Sequence, residues 1–221
     1  MTFGTPASHT DDAPRSDDWP TISDELLQGL VHALNNRVAA LSAFVELARL
    51  GDEEGDPVTV LPAEIAQLHR VNSLFGMLPE RKSEAEALEL RAVLDDAIRL
   101  HAHHPRLRGE QVAVEFEGAP AVIRAPRWAV VRMLVMLVHA AKTAARSEGR
   151  RAVARLRVRS DDTTVGVLAT APMEPSADLV TLAERCGGAV ARAEGDLVLT
   201  MPSLRELRRR EREARGDPPP G

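Results

Sequence analysis

The sequence predicts an α+β protein: an N-terminal two-helix hairpin, a four-helix bundle on dimerisation, followed by a small α/β sandwich. Three observations predict it. Apolar residues recur at helical spacing through two long stretches before residue 80. Short alternating stretches and one almost wholly apolar helical run share residues 85–203. The composition is 44% hydrophobic but only 3% aromatic, with no Tyr, so the core must be built from Ala, Leu and Val. Four regions follow: a tail over 1–20, rich in Asp, Pro, Ser and Thr and expected to be disordered, a helical hairpin over 21–80, a sandwich domain over 85–203, and a charged helix and tail over 204–221.

The first helix is predicted to start at Thr21-Ile22-Ser23-Asp24, a capping-box-like signal, and to stop at Gly51. Its apolar seam reads Leu27, Leu30, Leu34, Val38, Leu41, Val45, Ala48, with steps of three and four residues. With Leu27 at heptad position a, His32 falls at f, furthest from the seam, and Asn36 sits one turn beyond on the same face. A second helix runs from about Thr59 to Leu78, with Pro62 placed in its first turn. Two antiparallel helices cannot bury both apolar faces alone, so the hairpin either dimerises or packs on the rest of the chain. Beyond a charged linker, Leu88–Leu100 reads as a helix and Gln111–Glu117 as a strand. Pro126–Ala145 is an apolar helix to be buried on a sheet. Ala152–Arg159 and Thr164–Ala169 are strands, Ala177–Cys186 a helix ended by Gly187-Gly188, and Ala189–Ala193 with Leu197–Met201 a hairpin. Leu204–Arg215 is a charged helix-forming run.

Net charge is −5, so nucleic acid is not an expected partner. The single Cys186 cannot form an internal disulfide and fits a reducing compartment. No apolar run approaches the ~20 residues needed to cross a bilayer, and no signal pattern opens the chain; a cytoplasmic protein without a membrane partner is expected. No metal site is expected. His101-Ala102-His103-His104 stands at a helix end without Cys or acid at ligand spacing and reads as a solvated terminus. His69 reads as a surface residue, His139 as a packed core or edge histidine, and Arg205–Arg215 as a solvated helix face.

His32-Ala33-Leu34-Asn35-Asn36 on a helix, followed by a second helix, resembles the phosphoacceptor box of bacterial two-component histidine kinases. The order of elements after residue 85 resembles their ATP-binding domain, so the resemblance covers about residues 22–203 and implies a histidine-kinase ATPase-like sandwich. The nucleotide chemistry departs from the family. Where its N-box places two Asn, Met136 and Ala140 stand, and a methyl group offers Mg²⁺ no oxygen. Where its D-x-G-x-G box follows the central strand, the chain reads Ala169-Thr170-Ala171-Pro172-Met173. The acid that directly follows the phosphoacceptor is Ala33 here, so a general base is missing.

The combination resembles dimeric bacterial histidine phosphotransferases, which shuttle phosphoryl groups between receiver aspartates. That resemblance implies His32 as phosphoacceptor, Asn35 and Asn36 as its neighbours, and Gln28 and Arg37 as receiver-docking residues. It implies a homodimer, response-regulator receiver domains and an upstream histidine kinase as partners, and no cofactor held by this chain, the receiver supplying Mg²⁺ and ATP having no role. Two alternatives stand beside phosphotransfer: a non-catalytic pseudokinase adaptor, and a kinase with an atypical ATP site.

Overall fold

In a computed structural model of the chain, the described residues are 16–50, 57–80, 83–149 and 153–216. Helices α1 (Trp19–Leu50) and α2 (Pro57–Phe75) form the hairpin, tied by an ion pair of 3.1 Å between Arg37 and Glu64. The body follows as β1 (Glu86–Glu89), α3 (Leu90–His101), β2 (Val112–Gly118), β3 (Val122–Ala125) and α4 (Arg127–Glu148). It continues with β4 (Ala154–Ser160), β5 (Thr164–Thr170), α5 (Ala177–Arg185), β6 (Ala189–Ala193), β7 (Asp196–Pro202) and α6 (Leu204–Arg215).

The main sheet has the order β2-β4-β5-β7-β6, with β2 parallel to β4 and every other pair antiparallel. Period-two alternation sends Ala154, Leu156, Val158, Val165, Val167, Leu197, Leu199 and Met201 to one face, where all are buried. Helix α4 lies on that face and is apolar nearly all round, burying Val130, Met133, Leu134, Leu137 and Val138 among others. It has the length and hydropathy of a bilayer-crossing helix, yet it is the core helix of this body. The opposite sheet face is wet, and Arg159 there pairs with Glu117 at 2.8 Å. Ser176 and Ser203 cap α5 and α6, each accepting a backbone N–H three residues on.

Three features depart from the sequence expectation. Strands β1 and β3, which pair with each other, were not foreseen; they are four residues each, too short to show a period, and the segment expected to be helical from Leu88 is strand through Glu89. Pro62 lies inside α2, because the helix begins at Pro57. Helix α1 begins at Trp19, inside the region assigned to the tail, and has no acid in its first turn. Its start is set from afar: the Trp19 N–H donates to Asp178 Oδ2 on α5 at 3.0 Å, satisfying one of the free donors of a helix terminus.

The single seam expected along α1 is two faces. Ile22, Leu26 and Leu30 are fully buried against the body together with Trp19. Leu27, Val31, Val38 and Val45 are 42–49% exposed and make a second stripe with Leu34 and Leu41, at steps of four and three. Burying Ile22, Leu26 and Leu30 contributes about 1.5–3 kcal/mol each, so α1 is held firmly on the body. Gly29 makes the approach feasible: a Cβ there would lie 1.7 Å from the carbonyl oxygen of His103. Hairpin and body therefore share one core, which also takes Val71 and Leu74 of α2.

Candidate functional site

His32 lies two residues past the last buried contact of α1 and is exposed. Helical spacing turns it away from Leu26 and Leu30 and away from the Leu27–Val45 stripe. Asn36 Nδ2 is 3.3 Å from His32 Nε2, so the amide one turn on holds the ring. Asn35 and Gln28 are exposed on the flanks of the same helix. Arg37 is elsewhere: it is turned to α2 and engaged with Glu64, so it does not share the imidazole's face. Ala33, at the position of the family's acid, is half-buried. Beside Asn36 opens a cleft of about 380 Å³ between α1, α2 and the end of α3, with Arg37, Arg70, Arg99 and His103 on its walls. Sequence reading missed this basic cleft, because it joins residues from three helices.

The residues that the resemblance sets at the family's nucleotide positions are all inside the core. Met136 and Ala140 on α4, Ala169 on β5 and Ala171 just after it are 0–1% exposed. The chain's own N-terminal segment closes the neighbouring surface. The Ser16 N–H donates to the Glu174 carbonyl at 2.9 Å, and the Ser176 N–H donates to Ser16 Oγ at 2.8 Å. Trp19 is buried with the Arg132 guanidinium of α4 at 4.6 Å from its ring centroid. Residues 16–19 thus strap the β5–α5 connection to α4.

A third group was read differently from sequence. His101 and His104 are fully buried and His139 nearly so, which overturns the solvated-terminus reading for the first two. His101 Nε2 lies 3.2 Å from His139 Nδ1, and the His101 and His104 rings stack at 5.1 Å. His139 Nε2 meets Asp17 Oδ2 at 2.9 Å; His104 Nε2 lies 2.5 Å from Glu25 Oε2 on α1, and Arg106 also pairs with Glu25. Burial, more than any neighbouring charge, pushes His101 down to about 2 and His104 to about 4, and it lowers His139 as well. Three neutral imidazoles therefore join the end of α3 to α4 and, through two carboxylates, to the start of α1. No pattern near His101 could reveal this, since its partners come from segments far apart in the chain.

No protein-family model matches the chain, and no curated protein matches it. Among solved structures, a bacterial phosphotransferase aligns over 86% of this chain and 99% of its own length, at 14% identity and a TM-score of 0.39. The mycobacterial sensor histidine kinase MprB aligns over 54% of this chain and 97% of its own, at 14% identity and a TM-score of 0.40. Histidine kinase ThkA, solved in complex with response regulator protein TrrA, aligns over 85% and 64%, at 16% identity and a TM-score of 0.41. The chain is thus similar to histidine kinases and to a phosphotransferase. Values of this size leave its function to be argued from its own residues.

Proposed function

We propose that the chain is a phosphorelay histidine phosphotransferase: His32 takes a phosphoryl group from the aspartyl phosphate of one receiver domain and gives it to another. The observation that carries this reading is the exposed His32 imidazole, held by Asn36 on a helix anchored into the body. The chemistry asks little else of this chain. The Nε2 lone pair attacks phosphorus in line, the N–P bond forms as the O–P bond to the aspartate breaks, and the carboxylate leaves with the electron pair. The imidazolium proton passes to water, and the reverse sequence loads the next aspartate. The receiver brings the Mg²⁺. Asn36 sets the ring plane and is displaced as the phosphoryl group arrives, while the basic cleft beside it offers positive charge to an acidic receiver surface.

Self-phosphorylation from ATP is not part of this reading. Met136, Ala140, Ala169 and Ala171 bring no oxygen ligand or hydrogen-bonding side chain, and Ala33 brings no base. The exposed Leu27–Val45 stripe, with Ile65 of α2 also 45% exposed, supports a homodimer through the hairpin. The test is incubation with a panel of phosphorylated receivers. Acid-labile, base-stable label on the wild type and none on His32→Ala is the expected result. No label from any receiver would leave docking without chemistry, and label from ATP·Mg²⁺ alone would return the chain to the kinases.

A further inference from the structure

The buried histidines carry an arrangement that hydrogen bonding does not complete. One ring nitrogen from each of His101, His104 and His139 lies within 4.8 Å of the others. Buried His101 Nδ1 and His104 Nε2 have no hydrogen-bond partner, the close approach of Glu25 to the latter being outside hydrogen-bond geometry. Leaving the buried His104 Nε2 unpaired is costly, and it points to a missing partner there.

We propose that His101, His104 and His139 bind a divalent transition-metal ion of the zinc class, which staples α3 to α4, and that Glu25 of α1, now 2.5 Å from His104 Nε2, turns from that nitrogen to the ion. The convergent donors are three imidazole nitrogens, with the Glu25 carboxylate or a water for the fourth position, the chemistry of four-coordinate zinc and not of Mg²⁺ or Ca²⁺. Two nitrogens bound at about 2.0–2.1 Å in a tetrahedron stand about 3.3 Å apart; His101 Nε2 and His139 Nδ1 stand at 3.2 Å, spanned by a hydrogen bond whose proton must move from His101 Nε2 to its Nδ1 on ligation. Asp17 completes the pattern outside the ligands: its carboxylate takes the Nε2 proton of His139 in a hydrogen bond and turns the Nδ1 lone pair inward.

Charge and tautomers decide what must move. A dication is balanced by Glu25 and Asp17. The nearby cations are already occupied, Arg106 with Glu25 and Lys142, whose Nζ donates to the Leu107 carbonyl at 3.4 Å. Burial lowers the Lys142 ammonium, which weakens its opposition to a metal. His104 Nδ1 accepts the Arg106 and Leu107 N–H groups, both at 3.3 Å. Ligation through Nε2 shifts the ring proton to Nδ1 with no net proton released, so these two long bonds break and the turn at 104–107 readjusts. The site is independent of the phosphotransfer reading, since it fixes the helix that carries His32 whether or not His32 takes phosphate.

The test uses the full chain, stripped with a chelator and titrated with Zn²⁺ by calorimetry and with Co²⁺ by visible absorption. Saturable binding of one ion per chain, a tetrahedral Co²⁺ spectrum and a higher melting temperature with Zn²⁺ are expected. His139→Gln should abolish binding. Asp17→Asn, at a half-exposed position that leaves the core intact, should weaken it 10–100-fold. His69→Ala on α2 should bind as the wild type does. Absence of saturable Zn²⁺ binding to the folded chain overturns the proposal, as does binding unchanged in Asp17→Asn, or lost in His69→Ala.

Discussion

Gly29→Ala separates two pictures of α1 by the sign of its effect. On a free helix the change is favourable, because Gly in a helix interior is about 1 kcal/mol worse than Ala. On the docked helix it is not. The new Cβ would sit 1.7 Å from the His103 carbonyl oxygen, whereas a carbon normally stays about 3.3 Å from a carbonyl oxygen. Helix and turn must therefore part by about 1.6 Å (3.3 minus 1.7). That gap lies beside Leu26 and Leu30, both fully buried, and a gap of even 0.5–1 Å forfeits about a quarter to a half of a contact's attraction. Overpacking costs about 1–3 kcal/mol or more, and a parting of this size belongs at the upper end, which exceeds the propensity gain by about 2 kcal/mol (3 minus 1). For a chain of this length a net loss of about 2 kcal/mol lowers Tm by roughly 4–8 °C. Thermal unfolding followed by circular dichroism and Trp emission measures it. A Tm equal to or above that of the wild type would refute the docked arrangement.

Three further outcomes follow from the same geometry. In chelator, the metal-free chain should lose stability as pH falls below about 6.5, where the unfolded histidines take protons. Folded His104 and His101 resist until about 4 and about 2, with Asp17 and Glu25 favouring and Lys142 and Arg106 opposing protonation around them; urea midpoints that do not move between pH 7.5 and 5 would contradict this. Val38→Glu, on the exposed stripe of α1, should weaken self-association tenfold or more in sedimentation while leaving the monomer's Tm within about 2 °C, since surface changes cost under about 0.5 kcal/mol. Asn36→Ala should lower the rate of phosphotransfer by about tenfold, the loss of about 1.4 kcal/mol of ring positioning, with circular dichroism unchanged; an unaltered rate would remove Asn36 from the site.

The architecture was legible because its signals are local. The α4 run from Val130 to Val138 is apolar but for Arg132, and β4 alternates strictly, so their burial followed; β5 and β7 carry apolar runs at Val167–Ala169 and Leu197–Leu199, and only their packing sorts the two faces. The exposure of His32 was legible for the same reason, from spacing along one helix. What failed depends on contacts distant in sequence. Leu27 and Leu30 look alike in a heptad, and only the body decides that Leu30 is buried and Leu27 is 44% exposed. The start of α1 is set by Asp178, not by Thr21 or Ser23. Arg37, expected to dock a receiver, is also paired with Glu64 on the next helix, a contact that spacing along α1 does not show. His101 and His104 read as a wet helix end because their partners, Asp17, Glu25 and His139, lie on other segments.

Site mapping of the phosphorylated chain tests the central claim most directly. Trypsin cuts after Arg15 and Arg37 and releases residues 16–37, in which His32 is the one histidine. After incubation with a phosphorylated receiver and mass analysis at alkaline pH, the account predicts the added phosphoryl group on that peptide alone. A phosphoryl group on the peptides that carry His69 or His103, with residues 16–37 unmodified, would contradict it.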